Sequence, residues 1–339
     1  MTLVTETPLA PKLTGRPCVV VTRRLLPAVE ARMAELFDAE FNREDTPMTR
    51  PELAQAMQRC DVLVPAVTDR IDADLIAGAG ETLGMIANFG AGTEHIDVAA
   101  AHRRGILVTN TPAVFTEDTA DLTFALILFV SRRFLGNSRI LHEGGWRGWG
   151  PSEMLGMSLN GKRLGIVGMG RIGQAVARRA RAFGMEVAYH NRHRLPEAIE
   201  AECTAHYEPD LDALFAGSDV VTLHCPARSG GAPLVDARVL SLMKSTAGLI
   251  NTGRGSLVDE DALIAALTEN RIAGAGLDVF AREPDVDPRL LVLPNLVALP
   301  HLGSATFEGR QAAGERIIAN IRFWADGHRP PDQVIPELA

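Results

Sequence analysis

Residues 165–173 read Gly165-Ile166-Val167-Gly168-Met169-Gly170-Arg171-Ile172-Gly173. An apolar run closes on the spacing Gly168-x-Gly170-x-x-Gly173, after which Ile172, Val176, Ala180 and Phe183 recur at the spacing of one helix face. In a strand–turn–helix unit each glycine has its own use. Gly168 permits the tight turn, Gly170 lets a pyrophosphate approach the backbone, and Gly173 lets helix and strand pack closely. The helix N-terminus, with its unpaired N–H groups, stabilises the anionic charge. A dinucleotide-binding Rossmann unit is predicted.

Around this unit, short Val-, Ile- and Leu-rich runs alternate with amphipathic stretches, the pattern of parallel sheets covered by helices on both faces. One series runs Arg163 to Gly168, Met185 to His190, Asp219 to His224, Ala247 to Asn251, Ala275 to Phe280 and Leu296 to Pro300. Those six strands make a complete dinucleotide-binding sheet. An earlier series, Cys18 to Thr22, Glu40 to Arg43, Asp61 to Pro65, Gly84 to Asn88 and Ile106 to Thr109, predicts a second sheet. A helix from about Glu117 to Arg133, N-capped by Thr116, links the two, and a tail helix over Thr306 to Ala325 is expected to pack back onto the first domain. The architecture read from this is α/β with two domains. A Rossmann domain of residues 113–307 is inserted in a flavodoxin-like substrate domain of residues 1–112 and 308–339.

The 339 residues suit two domains, and 34 Lys+Arg against 42 Asp+Glu leave a charge of −8, so no basic field exists to collect nucleic acid. Four cysteines, at positions 18, 60, 203 and 225, lie too far apart for a Cys-x-x-Cys pair, and no metal site is expected. The longest apolar run, Leu122 to Val130, is too short to span a bilayer. Met1 to Arg16 has no basic start followed by an apolar stretch and reads as a loose N-terminal arm. A cytoplasmic protein with no membrane partner is expected.

About 20 residues beyond the glycines, an NAD-selective site places a carboxylate on the ribose hydroxyls. Here the segment is Tyr189-His190-Asn191-Arg192-His193-Arg194, without a carboxylate and with two guanidiniums placed for a 2′-phosphate. NADPH/NADP is therefore favoured over NAD.

Hydride reduction of a carbonyl by a bound dinucleotide needs a proton donor for the oxygen, and an anionic substrate needs a cation to fix it. Arg254 follows a predicted strand between Gly253 and Gly255, and His301 follows the sixth strand at Pro300. Glu283 lies beyond the fifth. All three arise at C-terminal strand ends, where open α/β sheets bind ligands.

With Asn88-Phe89-Gly90-Ala91-Gly92-Thr93-Glu94-His95-Ile96-Asp97, Thr119-Ala120-Asp121, His224-Cys225-Pro226, Asn251-Thr252-Gly253-Arg254-Gly255, Gly276-Leu277-Asp278 and Pro300-His301-Leu302-Gly303-Ser304, the sequence resembles the D-2-hydroxyacid dehydrogenases. Within them it is most similar to glyoxylate and hydroxypyruvate reductases. The resemblance implies catalysis by Arg254, Glu283 and His301, with the Glu283 carboxylate bonding the imidazole and favouring its protonated form. It implies a substrate site of Phe89, Gly90, Ala91, Gly92 and Arg254, with Trp149 reaching the site of the partner subunit in a homodimer, although packing at the dimer interface alone also explains such a Trp. It further implies a cofactor site of Thr119, Gly168, Gly170, Arg171, Ile172, Gly173, Asn191, Arg192, Arg194, Cys225, Pro226, Thr252, Gly253, Asp278, His301 and Gly303. Asp278 matches the residue that holds the nicotinamide carboxamide, although an acidic residue ending a strand also suits a turn cap. The Phe89 loop and Arg254 are expected in different domains that meet on closure.

Rival readings remain within and beyond the family. Formate dehydrogenases share the His193-Arg194-Leu195-Pro196 run but carry Gln and Asp where Glu283 and Asn191 stand. A reductase of larger 2-keto acids such as 2-ketogluconate is a further reading. A nucleotide-sensing, corepressor-like binding protein represents a different class.

Overall fold

The computed structural model describes residues 14–227 and 231–336, so all but the last three residues of the expected N-terminal arm lie outside the described residues. Two compact units emerge, residues 1–115 with 306–339, and residues 116–305. The boundaries read from sequence, 112/113 and 307/308, move by two or three residues. Phe115 is buried in the core of the first unit, and Thr306 is the N-cap of the tail helix, its side chain accepting from the Gly309 N–H at 2.9 Å.

In the first unit, β1 (Cys18–Val21), β2 (Asp38–Phe41), β3 (Val62–Val64), β4 (Met85–Ala87) and β5 (Leu107–Thr109) form an all-parallel sheet in the order β2-β1-β3-β4-β5, which is the flavodoxin order. Successive residues feed cores on opposite faces: Val20, Leu63, Ile86 and Val108 enter one, while Val19, Val21, Val62, Met85 and Leu107 enter the other. Central strands buried on both sides must be apolar throughout. The tail helix, Phe307–Ala325, closes the second of these cores with Ala313, Ile317, Ile318, Ile321 and Trp324.

The second unit has seven parallel strands where six were expected. They are β6 (Arg163–Val167), β7 (Glu186–His190), β8 (Ala205–Tyr207), β9 (Val220–Leu223), β10 (Gly248–Asn251), β11 (Gly274–Leu277) and β12 (Leu296–Ala298), in the order β12-β11-β10-β9-β6-β7-β8. The extra strand, β8, is a three-residue edge strand with only Ala205 buried, too little for an apolar pattern to register. The order reverses between β6 and β9, where an α/β sheet opens a ligand crevice. The connecting helix spans Thr116–Arg132, so Thr116 is its first residue and not its cap. A helix over Phe134–His142 was not foreseen because none of its residues is buried, leaving no apolar stripe facing a core. Among the described residues, no helix is long and apolar enough to cross a membrane.

Candidate active site

At the switch point the glycines do different jobs. Gly168 has φ +97°, and a Cβ there would lie 2.6 Å from the Cys225 nitrogen, so the turn after β6 packs directly on the turn after β9. At Gly173 a Cβ would come 2.5 Å from the Gly168 oxygen. Around Gly170, the N-cap of the Arg171–Ala182 helix, a Cβ would meet nothing within 4 Å. This open approach to a helix N-terminus fits a pyrophosphate. Arg171 is exposed beside it, and Ile172 is partly buried.

Asn191 is turned toward this loop: its Oδ1 accepts the Met169 N–H at 2.7 Å. Arg194 departs from the expectation of two guanidiniums free for phosphate. Its Nε and Nη2 donate to the two carboxylate oxygens of Glu200 at 2.9 and 2.7 Å, and the Tyr189 hydroxyl donates to the same carboxylate at 2.7 Å. Those hydrogen bonds, Arg194 foremost, hold the Glu200 pKa well below the usual carboxylate range. Arg192 is exposed, with no hydrogen bond or ion pair among the described residues. Glu200 escaped sequence reading because its partnership with Arg194 appears only once a helical turn brings them together.

The structure brings His301 and Glu283 into contact, with Nδ1 of the imidazole 2.7 Å from Glu283 Oε2, while Oε1 accepts the Phe280 N–H at 2.9 Å. The bond from Glu283 raises the His301 pKa above its ordinary value against the opposing pull of burial. Burial pushes Glu283 up, but the His301 bond, the Phe280 N–H and the nearby Arg254 charge outweigh it and leave its pKa lowered. His301 itself sits at φ +55°, a left-handed conformation uncommon for residues other than glycine. Buried Asp278 over-determines it, its carboxylate accepting from Leu302 and Gly303 N–H at 2.6 and 2.8 Å, while its carbonyl takes the His301 N–H at 2.9 Å. Asp278 is thus at least the cap of the histidine turn.

Thr119 and Thr252 join the same framework through a residue that sequence reading missed. The Thr119 hydroxyl donates to Gly303 O at 2.9 Å, and Thr123 links the Thr119 carbonyl to the Thr252 hydroxyl, each at 2.8 Å. Arg254 follows β10 in extended conformation, its carbonyl held by the Asn251 side chain at 2.8 Å. The Gly253 N–H donates to Asn251 Oδ1 at 3.1 Å. His224, beside Cys225 and Pro226, is partly buried, and desolvation pushes its pKa down to about 3.

The first unit holds a constellation of its own. Phe89 is buried, and the carbonyls of Gly90, Ala91 and Gly92 are all occupied: Asn88 Nδ2 donates to Gly90 and Gly92, Asn110 Nδ2 to Ala91, and the Thr111 N–H to Gly90. His95 Nε2 lies 3.0 Å from Asn88 Oδ1 and steadies that bracket. The N–H groups of Ala91 and Gly92 have no partner among the described residues, which makes the loop an amide nest suited to an anion. Trp149 is 82% exposed.

A glycine cradle at the switch point of a Rossmann sheet, with an imidazole–carboxylate pair at its strand ends, defines an oxidoreductase that uses a nicotinamide dinucleotide. Residues 124–303 match the family model of the D-isomer specific 2-hydroxyacid dehydrogenase NAD binding domain. The chain is 44% identical over 324 residues to a glyoxylate reductase of Thermococcus litoralis, covering 94% of this chain and 97% of that one. To a glyoxylate reductase of Korarchaeum cryptofilum it is 42% identical over 325 residues, covering 95% and 97%. The solved structure of an NADPH-dependent glyoxylate/hydroxypyruvate reductase from Sinorhizobium meliloti, in complex with NADP and malonate, matches with a TM-score of 0.83 at 34% identity, covering 94% of this chain and 97% of that one. The chain belongs to the D-isomer specific 2-hydroxyacid dehydrogenase family.

Proposed function

We propose that the protein reduces a small 2-keto acid, glyoxylate to glycolate or hydroxypyruvate to D-glycerate, with NADPH as the preferred donor. The observation that carries this reading is the His301–Glu283 pair at 2.7 Å, with Arg254 close enough to influence both groups. The bound cofactor supplies a hydride to the carbonyl carbon. His301 Nε2, the ring nitrogen away from Glu283, gives a proton to the carbonyl oxygen, and Glu283 stabilises the imidazolium before transfer. The guanidinium of Arg254, which follows β10 of the same sheet, holds the carboxylate. Initial rates over a panel of 2-keto acids with both cofactors test the reading. Glyoxylate or hydroxypyruvate should lead the panel; 2-ketogluconate in first place would reassign the substrate, and no turnover at all would favour the nucleotide-sensing alternative.

The NADPH preference is supported by Arg192, which has no carboxylate partner among the described residues, and by the NADPH dependence of the similar Sinorhizobium meliloti reductase. Because Glu200 already neutralises Arg194, Arg192→Ala should weaken NADPH about tenfold relative to NADH, and Arg194→Ala far less. Equal or better kcat/KM with NADH in the wild type would refute the preference.

A homodimer is the proposed assembly. Phe134, Leu135, Ile140, Leu141, Trp146, Trp149 and Leu155 are all exposed within one segment of the second unit, and a short helix without a buried residue needs a partner surface. Sedimentation showing a monomer at micromolar concentration would contradict this. None of the four cysteines forms a disulfide, which supports a cytoplasmic location, and cell fractionation checks it.

A further inference from the structure

Arg310 lies near the start of the tail helix, its guanidinium carbon 5.7 Å from the ring centre of Phe89 and 6.0 Å from that of Phe115. Both rings are buried and Arg310 is partly buried. Among the described residues no carboxylate pairs with its guanidinium and no oxygen accepts a guanidinium N–H; burial alone moves its pKa, downward. Arg316, farther along the same helix, shows the contrast. Its Nε and Nη2 meet both oxygens of Asp332 at 2.6 and 2.7 Å. A partly desolvated cation without a counter-ion costs stability, and two cation–π contacts return only part of that cost. What would complete the site is an anion.

Phe89 indicates which anion. Its ring takes the guanidinium, and its backbone leads into the loop whose Ala91 and Gly92 amides are unpaired. An amide nest and an uncompensated guanidinium on one aromatic residue favour a small carboxylate. We infer that Arg310 is a substrate-binding residue, the cation that joins the Ala91 and Gly92 amides in binding the carboxylate of the keto acid, retained at the expense of fold stability. The inference rests on the keto-acid reductase reading above.

The deciding variant is Arg310→Met, which keeps the length of the side chain and removes the charge. Its melting temperature should equal or exceed that of the wild type, because an unpaired charge is gone. With NADPH saturating, KM for glyoxylate should rise about tenfold or more while kcat stays within about threefold. The dissociation constant for NADPH, followed by its fluorescence, should stay within about twofold, and kcat/KM for uncharged methyl glyoxylate within about threefold. A lower melting temperature with unchanged KM, or equal losses on acid and ester, would mark the cation–π contacts as structural and overturn the inference. Arg310→Gln serves if the Met variant does not fold, and failure of both to fold also overturns it. Thermal stabilisation of the NADPH complex by oxalate, expected in the wild type and largely lost in the variant, needs no turnover. A wild type that reduces no 2-keto acid therefore refutes the parent reading, while the oxalate shift still decides for Arg310.

Discussion

Replacing His301 with alanine is expected to lower kcat for keto-acid reduction by roughly 10²- to 10⁴-fold, the range of a lost general acid, with NADPH affinity nearly intact. The imidazole is 36% exposed at its side chain, so it can reach a ligand, and its turn is fixed independently by Asp278. Removing the ring therefore takes away the proposed proton donor while the Asp278 bonds that hold the loop remain. Glu283→Gln should be milder and should reveal the electrostatics. Glu283 is the main cause of the raised His301 pKa, so its loss lowers that pKa. In the proposed mechanism the protonated imidazole is the proton donor, so activity that persists as pH rises in the wild type is expected to fail at lower pH in the variant. The acidic side of the profile should move little. An unchanged pH profile in Glu283→Gln, or full turnover in His301→Ala, would show that the proton comes from another group.

The glycine cradle was legible because each of its three positions has a separate steric reason, and each reason leaves a glycine in the sequence. Gly168 needs a left-handed turn against Cys225, Gly173 meets the Gly168 carbonyl, and Gly170 faces open space. The buried strands were legible because two-sided burial forces unbroken apolar runs. What stayed hidden was either too short or made by pairing across the chain. Strand Ala205–Tyr207 buries one residue, and helix Phe134–His142 buries none, so neither writes a periodicity. Glu200 neutralises Arg194, Thr123 bridges Thr119 and Thr252, and Arg310 meets Phe89. In each case the residue type is ordinary and only its neighbour in space gives it meaning. Family resemblance named Glu283 and His301 together; the left-handed turn that presents His301, and the carboxylate that fixes it, could be seen only in the fold.

Gly255→Ala should be among the most damaging single-methyl changes in the second unit. A Cβ on Gly255 would overlap the carbonyl carbon and oxygen of Phe280 and come 2.5 Å from the Ala281 nitrogen. These are main-chain atoms with other commitments. The Phe280 N–H donates to Glu283 at 2.9 Å and the Ala281 N–H to Glu260 at 2.7 Å, so the segment cannot yield without giving up one bond or the other. Nor can the opposite side move freely, because Asn251 holds Arg254 by its carbonyl and the Arg254 carbonyl also accepts the Leu257 N–H at 3.1 Å. Overpacking against backbone with no slack should cost about 3 kcal/mol or more, roughly a 6–12 °C drop in Tm for a domain of this size. Protein that still folds should lose about 100-fold in kcat/KM, since a displacement near 1 Å misplaces Arg254 and Glu283 together. Gly170→Ala provides the control for a mere glycine effect. Its φ of −80° suits alanine and its Cβ meets nothing, so Tm without cofactor should hardly change, whereas NADPH binding should weaken because the methyl occupies the approach to the helix N-terminus. The reverse pattern, Gly255→Ala stable and active with Gly170→Ala unfolded, would mean that the Arg254 turn does not pack against Phe280 and that its catalytic geometry is set elsewhere.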